Sequence, residues 1–99
     1  MYLEKYLNDI RILCVNNKVK ELYVFGSIIT GGFTENSDID LIVNFNSIDP
    51  VEYAINYFDL KFALEDLLNR QIDLLEDKAI INPFLRENID NSKALLYAS

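Results

Sequence analysis

Two aspartates one residue apart, Asp38-Ile39-Asp40, lead into the apolar run Leu41-Ile42-Val43. If 38–45 is a strand, its period of two puts both carboxylates on one face with Cα atoms about 6.5 Å apart. Ile39, Leu41 and Val43 then share the other face. Two like charges so placed repel, and partial burial worsens it. Two resolutions are open: solvation at an exposed strand entry, or a divalent cation, since hard carboxylate oxygens suit magnesium. A third acid, Asp73, interrupts the apolar segment Ile72-Asp73-Leu74-Leu75. Aspartate is depleted in strands. On an exposed edge it is unremarkable, whereas in a central strand its charge requires a partner. Beside the first acidic strand, it brings three acids together in the manner of two-metal sites, where ions lie about 3.5–4 Å apart. The remaining feature is Gly26-Ser27, directly after the strand-like Glu21-Leu22-Tyr23-Val24-Phe25. It reads either as an ordinary strand-to-helix turn or, if Ser27 caps a short helix, as an anion site of free N–H groups and a hydroxyl suited to phosphate.

Composition narrows the chemistry. The 99 residues include no histidine, which excludes histidine triads, histidine–zinc sites and a histidine proton shuttle. The single Cys14 excludes an internal disulfide and a cysteine metal cluster, and reads as a small core residue. Nine Lys and Arg against sixteen Asp and Glu give a formal charge of −7. Such a surface repels phosphate backbones, so direct nucleic-acid binding is not expected and a basic protein partner suits it better. The apolar runs are far short of a membrane span. The segment Met1-Tyr2-Leu3-Glu4-Lys5-Tyr6 lacks the apolar stretch of a signal peptide, so a cytoplasmic address is expected.

Several elements must position these residues. Leu3, Tyr6, Leu7, Ile10, Leu13 and Cys14 mark one face of a helix ending at Asn16-Asn17. A strand over 21–25 follows, then a short helix from Ser27 to about Thr30, stopped by Gly31-Gly32. A turn at Glu35-Asn36-Ser37 leads to the strand 38–45. Asp49-Pro50 caps a helix running to about Asn69, with Tyr53, Tyr57, Leu60, Leu64, Leu67 and Leu68 on one stripe. The segment 71–75 is a third strand. Asn82-Pro83 opens a last helix with Phe84, Leu85, Ile89 and Leu95 inward, and Leu95-Leu96-Tyr97 also reads as a short final strand. No repeat or linker divides the chain, so residues 1–99 read as one α/β (α+β) domain. A small mixed sheet of three or four strands carries the helices.

The order Phe25-Gly26-Ser27, ten intervening residues, Ser37-Asp38-Ile39-Asp40-Leu41-Ile42-Val43, then a strand aspartate across a helix, resembles the polymerase-beta-type nucleotidyltransferase superfamily. The resemblance spans Glu21 to Tyr97. Its nearest group is the minimal nucleotidyltransferases, antitoxin partners of HEPN-domain ribonuclease toxins. The resemblance implies that Gly26 and Ser27 hold the triphosphate of ATP. It implies that Asp38 and Asp40 bind magnesium, with two ions expected, and that Asp73 shares a metal and helps activate the attacking hydroxyl. The implied reaction is transfer of AMP to a hydroxyl, a tyrosine's, on a cognate HEPN toxin, as a type VII-like antitoxin. One departure is that Ile28-Ile29-Thr30-Gly31-Gly32 carries no cation where many small relatives have an arginine. A phosphate-binding cation must then come from elsewhere in the chain, from a partner or from magnesium. This supports an alternative in which the same fold neutralises its partner by binding alone. A free-standing transferase for a small-molecule hydroxyl is the third reading, and the short chain argues against it. Arg86 reads as a salt-bridge residue. Tyr53, Tyr57, Phe58 and Phe62 read as core or partner surface. Glu65-Asp66 and Glu76-Asp77 read as solvated faces or as contacts for a basic partner.

Overall fold

A computed structural model of the chain describes residues 2–46 and 49–99. Met1, where the amino-terminal reading begins, lies outside them. Four strands form one sheet in the order β3-β2-β1-β4, with β1 Val19–Phe25, β2 Ile39–Phe45, β3 Ile72–Glu76 and β4 Ala94–Ala98. β1 runs antiparallel to both β2 and β4, while β2 and β3 are parallel. The helices are α1 Leu7–Asn16, α2 Ser27–Thr30, α3 Pro50–Leu68 and α4 Pro83–Ser92, with 3-10 turns at Glu4–Tyr6 and Asp77–Ala79. Parallel strands need a long crossover, and α3 supplies it between β2 and β3.

Strand alternation sorts the sheet into two faces. Leu22 and Val24 of β1, Ile39, Leu41 and Val43 of β2, and Ile72 and Leu74 of β3 belong to one buried cluster with Ile10 and Cys14 of α1 and Leu60, Leu64 and Leu68 of α3. The expected stripe on α3 therefore faces the sheet. Cys14 is a core residue as read, and burial pushes its thiol up to about 12. The second face carries Tyr23, Ile42 and Asn44 at one end, where α4 covers them with Arg86, Asp90 and Lys93 around a shared polar cavity. The other end carries Phe25, Asp40 and Asp73.

Several local expectations change. The first helix begins as a 3-10 turn, and Leu7 is exposed. In α4 only Ile89 is buried, while Phe84 and Leu85 are exposed. The row of α4 that meets the sheet is Arg86-Ile89-Asp90-Lys93, spaced three, one and three residues, and Phe84 lies off that row. Leu95 is also exposed. Asn82 does cap α4 as its asparagine–proline start implies, accepting from Phe84 N and Leu85 N at 2.9 and 3.1 Å. Replacing Asn82 with alanine is expected to cost about 1 kcal/mol, read as a lower midpoint in thermal or urea unfolding.

Candidate active site

The site starts at the carboxyl end of β1. Gly26 takes φ +80° and ψ −149°, a conformation open to glycine and strained for other residues. A Cβ built there would lie 2.3 Å from Asp40 Oδ2 and 3.2 Å from its Cγ. Phe25 pairs with Asp40 across β1 and β2, so the missing side chain is what lets the Asp40 carboxylate lie over the chain as it leaves the strand. Gly26, rather than Ser27, is the N-cap of α2, and Ser27 is its first helical residue. The early start follows from the Gly26 carbonyl, which already accepts from Ile29 N at 3.0 Å and Thr30 N at 3.1 Å. Among the described residues, the Ser27 and Ile28 N–H groups and the Ser27 hydroxyl have no hydrogen-bond partner. Gly31 ends the turn at φ +93°, as expected.

The acids come next. Asp40 and Asp73 are register partners in the parallel β2–β3 pair, with Cα atoms about 4.8 Å apart by strand spacing. β3 is an edge strand and Asp73 is exposed, so its charge carries no burial cost. Asp38 lies just before β2 instead of inside it, and it too is exposed. Strand alternation therefore does not fix its side chain, contrary to the expectation of a strand over 38–45. Asp40 is half-buried. Its carboxyl pKa is raised, first by burial and then by the charges of Asp73 and Asp38. Asp40 is thus within electrostatic reach of both Asp38 and Asp73, and among the described residues none of the three is paired with a lysine or arginine.

This donor set suits a hard divalent cation: it offers only carboxylate oxygens, and their mutual repulsion is relieved by positive charge. Among the described residues no three acids are yet gathered closely enough to chelate an ion, so chelation requires their side chains to turn toward one another. A cavity of about 380 Å³ between α3 and β3, lined by Tyr53, Tyr57, Phe58, Leu74 and Leu75, contains none of the three. The acids instead stand on an open rim of the sheet.

Arg86 is engaged elsewhere. Arg86 Nη1 lies 2.7 Å from Asp77 Oδ1, and Nη2 donates to the Asp77 and Ile80 carbonyls. Its salt-bridge reading therefore stands. Asp77 is committed to Arg86, and Glu65 accepts from Ile72 N at 3.2 Å. Half of each acidic pair read as a solvated face thus has a structural contact. Tyr53 and Tyr57 pack against the core, and Tyr57 donates to Leu74 O, while Phe58 and Phe62 are exposed. Arg70, passed over in the sequence, faces the loop before Asp38. Its signal was its place between the helix end and the Gln71-Ile72-Asp73 strand.

The family model for the polymerase beta nucleotidyltransferase domain matches residues 8–99. The chain belongs to that family. It is similar to a candidate protein adenylyltransferase of Methanocaldococcus jannaschii, with 38% identity over 80 residues, covering 81% of this chain and 79% of the relative. It also resembles the protein adenylyltransferase MntA of Thermococcus cleftensis, 37% identical over 57 residues, which are 58% of this chain and 54% of that protein. Among solved structures, a candidate minimal nucleotidyltransferase superposes with TM-score 0.76 at 29% identity, covering 93% of this chain and 90% of that one. A chain of a toxin–antitoxin complex crystallised with AMP-PNP gives TM-score 0.71 at 26% identity, covering 94% of this chain and 73% of the other. The mixed four-stranded sheet with its helices is the minimal nucleotidyltransferase fold, as the sequence implied. Family membership makes this nucleotidyltransferase chain an enzyme by class. The family generally uses a nucleoside triphosphate and a divalent metal. Among the described residues, no helix is long and apolar enough to cross a membrane.

Proposed function

We propose that this chain is a magnesium-dependent protein adenylyltransferase that transfers AMP from ATP to a tyrosine hydroxyl of a cognate HEPN toxin, acting as its antitoxin from the cytoplasm. The observation that carries the proposal is the register pairing of Asp40 with Asp73 beside the Gly26-Ser27 turn. It sets an acid pair next to unpaired N–H donors, as metal-assisted phosphoryl chemistry requires. A relative named MntA and a neighbour from a toxin–antitoxin complex holding AMP-PNP support the partner and the nucleotide.

In this reading residues 1–99 work as one minimal domain. Ser27, through its hydroxyl and N–H, and Ile28 N–H bind the triphosphate. Asp38 and Asp40 hold magnesium as two ions, and Asp73 shares a ligand position. Magnesium, when bound, neutralises the triphosphate and acidifies the acceptor hydroxyl. Asp73, exposed on the edge strand, is placed to receive that hydroxyl's proton. The hydroxyl oxygen forms a bond to the α-phosphorus, the bond to the bridging oxygen breaks, and pyrophosphate leaves. Positioning and charge neutralisation suffice for such an in-line displacement, so the lack of histidine is no obstacle. An open rim also admits a hydroxyl presented by a folded protein.

The test is the intact mass of a candidate HEPN-toxin partner after incubation with this chain, magnesium and ATP. A gain of one or more AMP units, lost in the Asp38→Asn/Asp40→Asn double variant, is the expected result. Transfer that survives in that variant overturns the assignment of the acids. One observation favours the binding-only reading: Arg70, beside the loop before Asp38, is engaged with backbone carbonyls instead of facing the phosphate turn. A tight complex with no mass gain from any of the four nucleotides would establish that reading.

A further inference from the structure

Arg70 makes an unusual set of contacts for an arginine in so acidic a chain. Among the described residues it pairs with no carboxylate. Nη2 donates to Thr34 O at 2.7 Å, and Nη1 donates to Thr34 O at 3.1 Å and Glu35 O at 3.0 Å, with Ser37 O at 3.5 Å. The guanidinium lies 4.3 Å from the centre of the Phe33 ring and 5.3 Å from that of Tyr2. Tyr2 is itself tied to the end of α3 by its hydroxyl, which donates to Leu68 O at 3.0 Å. A planar fork with five donors is suited to gathering several carbonyls at once, which a lysine ammonium does less well.

The gathered segment is the one that delivers Asp38. Within it, Ser37 N donates to Thr34 O at 3.1 Å and Thr34 N donates to Ser37 Oγ at 3.0 Å. On the far side of Asp38, Ile39 N donates to Gln71 O at 3.0 Å. The residues flanking Asp38 are therefore both held from the 70–71 segment, two residues before Asp73. Because Asp38 lies outside the β2 ladder, the sheet alone does not locate it.

We propose that Arg70 is a positioning residue that holds the 33–37 loop so that Asp38 is presented to the same cation as Asp40 and Asp73. This rests on the metal-binding reading given above, and the experiment separates the two. The full chain is titrated with Mn²⁺ without nucleotide, and paramagnetic broadening of the amide signals at 38–41 and 73 is followed in the wild type, Arg70→Ala and Arg70→Lys. Amide exchange of Ser37 and Ile39 is measured in the same proteins.

The expected result is a half-saturating Mn²⁺ concentration about 10-fold higher in Arg70→Ala, the size typical of losing a residue that orients a ligand. Arg70→Lys should recover part of it. Ser37 and Ile39 should exchange faster while Leu22, Leu41 and Val43 keep their protection. Unchanged Mn²⁺ binding in both variants overturns the proposal, even if the loop loosens, because Arg70 is then only structural. If Arg70→Ala fails to fold, Arg70→Lys decides: it keeps the cation but not the fork, and wild-type Mn²⁺ affinity overturns the proposal. A wild type whose 38–41 amides do not respond to Mn²⁺ overturns the metal-binding reading itself, and this inference with it.

Discussion

Asp40→Asn is expected to lower AMP transfer by about 10³-fold, the upper range for losing one preorganised electrostatic group, while making the metal-free protein more resistant to heat at neutral pH. The two effects have one cause. The Asp40 carboxylate is half-buried, faces the charges of Asp73 and Asp38, and is paired with no cation among the described residues. Asparagine has nearly the same shape and no charge, so it removes that repulsion, which in the proposed reading a bound cation offsets in the wild type. The pH dependence follows from the raised folded pKa. Between the ordinary carboxylate value and the raised one, the folded chain holds the proton more tightly than the unfolded chain. Asp40 therefore lowers wild-type stability as pH rises through that window, and the full penalty persists above it. The advantage of Asp40→Asn should vanish in acid and be complete at neutral pH. Thermal unfolding of both proteins across pH, with and without magnesium, checks this. Magnesium should raise the midpoint of the wild type and not of the variant. A variant no more stable than the metal-free wild type at neutral pH would refute the account of strained charge.

Gly26→Ala carries the second large effect. The new methyl group meets Asp40 Oδ2 at 2.3 Å, and the backbone remains at φ +80°. Backbone strain and the clash together should cost about 2–4 kcal/mol. Displacing the Asp40 carboxylate by about 1 Å should also lower transfer on the order of 10²-fold. The two contributions separate in a double-mutant cycle with Asp40→Ala. Removing the carboxylate relieves the clash and leaves the φ strain, so Gly26→Ala should cost less in that background, with a coupling of about 1 kcal/mol or more. Additive effects in urea unfolding would show that Gly26 is required only for its backbone angles. The prediction also gives the glycine a role beyond the triphosphate contact that the family resemblance implies. In the fold itself, Gly26 makes room for an acid.

The sheet and most of its core were legible because alternation and helical spacing are strong signals. Ile39, Leu41 and Val43 had to share a face, and Leu60, Leu64 and Leu68 had to cover it. Asp73 was recognisable as an anomaly in an apolar strand, yet its place opposite Asp40 depends on parallel register, which no local pattern encodes. Asp38 was misplaced for a related reason. The apolar run gives the strand's period, but its first residue is set by where the Gln71–Ile39 hydrogen bond begins the ladder. Ser27 looked like a cap by residue type, whereas the Gly26 carbonyl already starts the helical bonding. In α4, Phe84 and Leu85 looked inward because they are apolar. The sheet instead recruits a row that is polar apart from Ile89, and Arg86 within it joins Asp77 and two carbonyls. Arg70 escaped notice because its partners are backbone carbonyls 33–36 residues away, which have no identity in a sequence.

The parallel pairing of β2 with β3 has a kinetic consequence. Asp40 and Asp73 meet only after all of α3 has folded back across the sheet, and contacts separated by so long a loop form slowly. This long-range pairing is also the one that brings like charges together. Repulsion should slow that closure, and a divalent cation or a bound proton should speed it. Assembly of this rim is therefore coupled to ion binding, so the proposed chemistry and the folding of the candidate site share one dependence.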